Sequence, residues 1–220
     1  MRTEQIDPRY ADLDSWSAAE MIAAMYEGQL AAAGAVRGAL GPITKAVEDA
    51  VPALRRGGRI VYVGAGTSAR IGVQDGSELL PTYDWPADRV VFVIAGGLDA
   101  LVRSIEGAED NEAAGTQAIV NAKISADDVV IGLAASGTTP FTLTAAQDAK
   151  AGGALVVAIS NNPGAPLLRH NPRLDEVIVL HAQGPGRVHV LRLRDALLLL
   201  RGQALQLLLQ LALLDARLEP

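Results

Sequence analysis

An α/β fold with a five-stranded, mainly parallel sheet flanked by helices, preceded by N-terminal helices, is the architecture this sequence predicts. The first observation is a set of five short apolar runs, nearly unbroken and rich in β-branched residues, which suit strands covered on both faces. The second is spacing, because each interval between runs is long enough for a crossover helix, right-handed by default. The third is that small turns rich in glycine and hydroxyls follow the first and third runs, where a strand would hand over to a helix.

Taken in order, residues 18 to 55 place Met21, Met25, Leu30, Val36, Leu40, Ile43, Val47 and Val51 at roughly helical spacing. Two helices are expected, opened by a Ser15 or Ser17 cap and joined near Gly41-Pro42, with Gly34 and Gly38 as further breaks. The period then changes. Arg59–Gly64, Arg89–Ile94, Asp128–Leu133, Ala154–Ile159 and Glu176–Leu180 are the expected strands. Leu191 to Leu218 is dominated by Leu with Arg and Gln interspersed, and reads as a helix that is buried or pairs with a partner. Three segments result: helical residues 1–56, a sheet domain over 57–182, and a Leu/Arg-rich segment over 183–220.

Charge and composition narrow the function classes. With 220 residues, 19 basic and 25 acidic side chains and a formal charge of −6, the chain lacks a surface built to neutralise nucleic-acid phosphates or anionic lipid. Neither nucleic acid nor membrane is an expected partner. Cysteine is absent, which removes disulfides, zinc thiolate sites and thiol nucleophiles together. The three histidines, His170, His181 and His189, all fall in the last third, so no metal site is expected. The opening Met1 to Pro8 carries Glu4 and Asp7 and no apolar core, unlike a secretory signal, and no run reaches about 18 apolar residues. A cytoplasmic location is the expectation.

In an open parallel sheet, ligands bind beyond the carboxyl ends of the strands. After the first run stands Gly64-Ala65-Gly66-Thr67-Ser68-Ala69-Arg70, and after the third Ala135-Ser136-Gly137-Thr138-Thr139-Pro140. Either turn alone serves equally well as a helix cap. Together, at equivalent positions, they suit a phosphate monoester, because free helix N–H groups, the helix dipole and Ser/Thr hydroxyls all favour an anion. Neither turn has the Gly-Lys-Ser/Thr of a nucleotide-binding P-loop or continues as a dinucleotide fingerprint. Two acidic clusters follow, Asp75-Gly-Ser-Glu78 and Glu106-Gly-Ala-Glu109-Asp110. Solvated surface charge is their ordinary explanation, and carboxyls poised for proton exchange beside a sugar-phosphate pocket are the alternative.

The stretches Gly64-Ala-Gly-Thr-Ser-Ala-Arg-Ile-Gly-Val-Gln-Asp-Gly-Ser-Glu78-Leu-Leu-Pro-Thr-Tyr83, Ile94-Ala-Gly-Gly97, Glu106-Gly-Ala-Glu-Asp110 and Ala134-Ala-Ser-Gly-Thr-Thr-Pro140 closely resemble the N-acetylmuramic acid 6-phosphate etherases, members of the sugar isomerase (SIS) domain superfamily. Asn162-Pro163 extends the resemblance more weakly. It implies a flavodoxin-like three-layer domain, a homodimer and a reaction without cofactor, in which the D-lactyl ether of the sugar phosphate is eliminated and water added. It puts the catalytic acids on Glu78 and Glu109, with Glu78 taken as donor, and the phosphate on Gly66, Thr67, Ser68, Ser136, Gly137 and Thr138. A sugar-phosphate-binding module without turnover, or a sugar-phosphate isomerase, would use the same turns. The sequence departs from the family at Leu79-Leu80 and at Thr138, where a basic residue is usual, and departs widely after Leu180. Arg187, Arg192 and Arg194 match no family motif and read as surface charge.

Overall fold

The computed structural model describes residues 8–169 and 176–179. Helix α1 (Ala18–Val36) begins at Ser17, whose hydroxyl accepts the Glu20 N–H while the Glu20 carboxylate accepts the Ser17 N–H, a reciprocal capping box. A short 3-10 turn, Arg37–Ala39, joins it to α2 (Leu40–Arg55). The joint thus precedes the expected Gly41-Pro42, which instead lies in the first turn of α2. Proline is tolerated there because the first N–H groups of a helix have no partner within it. Ile43, Ala46, Val47, Ala50 and Leu54 recur every three or four residues and bury one stripe of α2 in the core.

The sheet follows. Strands β1 (Ile60–Gly64), β2 (Val90–Ile94), β3 (Val129–Leu133), β4 (Leu155–Ser160) and β5 (Glu176–Val179) all run parallel in the order β2-β1-β3-β4-β5. Each lies within a residue of the expected run, since a continuous Val/Ile stretch has no polar face to leave in water. Alternate side chains divide between two cores. Ile60, Tyr62, Val129, Ile131 and Val157 pack with α2. Val61, Val63, Val130 and Val156 pack on the other face with α5 (Glu112–Ala122) and α6 (Pro140–Ala151). The result is a three-layer, doubly wound domain whose chain reverses direction across the sheet between β1 and β3.

On the α2 face, α3 (Gly66–Ser77) crosses β1 closely because Gly72 and Gly76 present no side chain to it. A Cβ on Gly72 would lie 2.8 Å from Leu133 Cδ1, and one on Gly76 would lie 2.6 Å from Phe92 Cε1. The starts of β1 and β3 are tied by Asp128, buried to 1% exposure, which accepts from Arg59 Nη2 at 2.7 Å and from the Ser125 N–H at 2.8 Å. Burial alone would raise this carboxyl. The hydrogen bonds from Arg59 and Ser125 outweigh burial and hold it below the ordinary carboxylate range. The expected helix over Leu191–Leu218 lies outside the described residues, as do His181, His189 and the arginines after Leu180.

Candidate functional site

Two turns meet at the point where the strand order reverses. The first runs from Gly64 at the end of β1 through Ala65 into α3, and Gly66 holds φ at +52°, a left-handed conformation that a side chain would strain. The second leaves β3 through Ala134 to Thr139 and enters α6 at Pro140, whose ring suits the first helical position. Since β1 and β3 are neighbours, the two turns start roughly 5 Å apart on one edge of the sheet.

The second turn is braced by the end of β4. Asn162 Nδ2 donates to Ser136 O at 3.1 Å, Ser160 Oγ to Ala135 O at 3.3 Å, and the Asn161 N–H to Ala135 O at 3.0 Å. Ser160, Asn161 and Asn162 are all buried. Gly137, at φ +69°, packs so closely under this brace that a Cβ would lie 2.4 Å from Ala165 Cβ and 2.7 Å from Ser160 Oγ. Within the turn, Ser136 Oγ accepts from the Thr138 N–H at 3.1 Å and from Thr138 Oγ1 at 2.9 Å. The Ser136 hydroxyl is thereby held at the centre of the turn.

A cavity of about 180 Å³ opens between the start of α3 and the segment after β2, with Gly66, Thr67, Arg70, Arg103, Glu106 and Glu109 among its walls. The structure therefore brings Glu109 together with the first turn. Ser68 stands one residue further along α3, and Ser136, Gly137 and Thr138 lie on the adjacent turn rather than among the cavity walls. Glu78 is placed elsewhere. It caps the far end of α3, exposed, about 18 Å along the helix axis from Gly66 at the usual rise per residue.

One turn before Glu78, Asp75 is buried and accepts the Tyr62 hydroxyl at 2.6 Å. Burial raises the Asp75 carboxyl to about 6 despite the opposing hydrogen bond from Tyr62. Burial, helped by the neighbouring carboxyl, pushes the Tyr62 phenol well above its ordinary range. Both groups serve the packing of α3 on β1.

Arg70, Arg103, Ser160 and Asn162 carry no assigned role in the sequence reading. Applying the strand-end rule to the fourth run would have singled out Ser160 and Asn162; nothing in the pattern marks the arginines. Among the described residues, no three His, Asp or Glu side chains stand together as a metal site would need, and no helix is long and apolar enough to cross a membrane.

Residues 42–150 match the family described as the glucokinase regulatory protein N-terminal SIS domain. Over 167 residues, 76% of this chain, the sequence is 54% identical to the N-acetylmuramic acid 6-phosphate etherase of Deinococcus radiodurans, of which the match covers 55%. Identity to the etherase of the same name from Actinobacillus succinogenes is 46% over 167 residues, again 76% of this chain and 55% of the relative. Among solved structures, a phosphoheptose isomerase from Francisella tularensis has the same fold at TM-score 0.63 and 18% identity, covering 89% of this chain and all of that one. A doubly wound parallel sheet with hydroxyl-bearing turns at its reversal point, together with these matches, defines a SIS-domain protein. The chain spans about half the length of the curated relatives it matches. Over that span its sequence is similar to those of the N-acetylmuramic acid 6-phosphate etherases.

Proposed function

We propose that this protein is a carbon–oxygen lyase that cleaves the D-lactyl ether of N-acetylmuramic acid 6-phosphate, releasing N-acetylglucosamine 6-phosphate and D-lactate. The observation that carries the reading is the cavity in which Glu109 meets Gly66 and Thr67 at the N-terminus of α3. An anion bound at that helix end and on the Ser68 and Ser136 hydroxyls would leave the sugar carbons facing the Glu109 wall. With the ring open, the aldehyde acidifies the proton on carbon 2. One carboxylate removes that proton, the electron pair expels the ether oxygen from carbon 3 as a second carboxyl protonates it, and water then adds to the double bond.

Glu109 is the first of these groups and Glu78 the second. Because α3 sets Glu78 about 18 Å from the turn on its own chain, the donor in this reading is Glu78 of the partner subunit in a homodimer. D-lactate released from N-acetylmuramic acid 6-phosphate tests the activity. Glu109→Gln and Glu78→Gln should each lower turnover by about 10²- to 10⁴-fold. Mixing the two inactive variants should recover activity through mixed dimers, and no recovery would assign the donor within one chain. The position of Glu78 also favours a second reading, a sugar-phosphate-binding module without turnover. Binding of the substrate with no lactate from well-folded protein would select it.

A further inference from the structure

The positive charge of the cavity comes from two arginines employed differently. Arg70 donates from Nε to Leu101 O at 2.8 Å and from Nη2 to Ala100 O at 3.0 Å, with a longer contact to Arg103 O at 3.5 Å. These acceptors are neutral carbonyls, so the guanidinium keeps its charge while it stitches residues 100–103 to α3. Arg103 ends that stitched segment. Its backbone is held, but its exposed side chain makes no ion pair and no hydrogen bond among the described residues. A cation kept at a cavity wall without a protein counterion is suited to meet an anion from solution.

Glu106 and Glu109 line the same cavity, so the formal charges of the walls balance. An anion gains there only by meeting a guanidinium directly. The planar fork of an arginine matches a carboxylate through two parallel hydrogen bonds. The substrate class proposed above carries a carboxylate in addition to its phosphate, on the lactyl group at carbon 3, next to the carbon 2 that Glu109 would deprotonate. Arg103 and Glu109 share one short segment, so the wall that faces carbon 2 also faces the lactyl group.

We infer that Arg103 is a specificity-determining residue, which binds the lactyl carboxylate apart from the phosphate and makes the site prefer lactyl-ether sugar phosphates over plain ones. The inference rests on the etherase reading for the identity of the ligand and on the cavity for the site.

Calorimetric titration tests it with two probes. One is N-acetylmuramic acid 6-phosphate, bound to a Glu109→Gln background so that it is not consumed. The other is N-acetylglucosamine 6-phosphate, which has the phosphate and no carboxylate. Adding Arg103→Ala should weaken the first by about 10- to 100-fold, as loss of a charged hydrogen-bonded pair does, and leave the second unchanged. Arg103→Lys should restore part of the loss, because a point charge replaces half of the bidentate contact. Equal weakening of both probes would assign Arg103 to the phosphate or to the fold and overturn the inference; no weakening of either would overturn it as well. Failure of the lyase reading is read separately. If the parent protein releases no D-lactate yet prefers the lactyl ligand through Arg103, the inference stands without turnover. If the parent binds both probes equally, the inference falls even where lactate is released.

Discussion

Replacing Ser136 by alanine separates the proposed phosphate contact from the bracing of the turn, because the two draw on different capacities of the hydroxyl. As an acceptor it takes the Thr138 N–H at 3.1 Å and the Thr138 hydroxyl at 2.9 Å, which orders the turn. Losing those neutral bonds costs about 1 kcal/mol of stability, the usual net value of such an interaction. In the proposed function the hydroxyl donates to the ligand, and a hydrogen bond to a charged phosphate oxygen contributes about 1.5–3 kcal/mol, or roughly 10- to 100-fold in affinity. Ser136→Ala should therefore lower the unfolding free energy by about 1 kcal/mol in a denaturant titration. Calorimetry should show roughly 10- to 100-fold weaker binding of the sugar 6-phosphate, with binding of the unphosphorylated sugar little changed. Equal losses for the two sugars would refute the phosphate role and leave Ser136 as a brace of the turn alone.

Gly137→Ala meets both a left-handed backbone and a contact of 2.4 Å with Ala165 Cβ, so it should destabilise by about 2–5 kcal/mol, seen as a drop in the denaturant midpoint. Asp75 binds its proton more tightly folded, at about 6, than unfolded, so its contribution to stability is greatest below the unfolded value near 4 and is lost as pH rises through about 6. Asp75→Asn should consequently stabilise the protein at pH 7 by on the order of 2 kcal/mol and not at pH 4, and equal gains at both pH values would contradict a buried, reluctant carboxylate. Asp128 has the opposite sign. Its folded value is lowered, so its stabilisation is present above the unfolded value near 4 and lost as pH falls through the folded one. Asp128→Asn should cost about 3 kcal/mol at neutral pH, the lower end for breaking a buried pair because Arg59 is 27% exposed, and thermal melts across pH would show the cost shrinking in acid.

Much of this fold is written in residues that have one physical reading. A run such as Val129-Val-Ile-Gly-Leu133 has no polar face, so it must be a strand with a layer on each side. The capping box at Ser17 and Glu20 is likewise local and legible. Gly41-Pro42 misleads because the same pair marks a break inside a helix and is harmless in its first turn. The order β2-β1-β3 is set by which crossovers pack, and no single run encodes it. The site was legible at the turns, whose glycines and hydroxyls carry their own chemistry. It was not legible at Arg70, whose partners are backbone carbonyls about thirty residues away and have no side-chain signature. The motifs name Glu78 and Glu109 with equal force, yet only the three-dimensional path of α3 parts them.

That path follows from two glycines that have no catalytic part to play. Tyr62 is held by Asp75 at 2.6 Å and stacks on Phe92 with ring centroids 5.7 Å apart, so the surface beneath α3 is rigid. Gly72 and Gly76 let the helix lie directly on that surface, and any side chain there would have to displace the rings or lift the helix. Lifting it would move both ends at once. Gly66 and Thr67 would leave the cavity at one end, the Arg70 stitch to residues 100–103 would stretch, and Glu78 would tilt away at the other. The packing of one helix on β1 thus sets the first glycine turn, the cavity beside Arg103 and Glu109, and the exposed position of Glu78. For that reason a small residue at 76, outside the cavity walls, governs the site through the packing of α3.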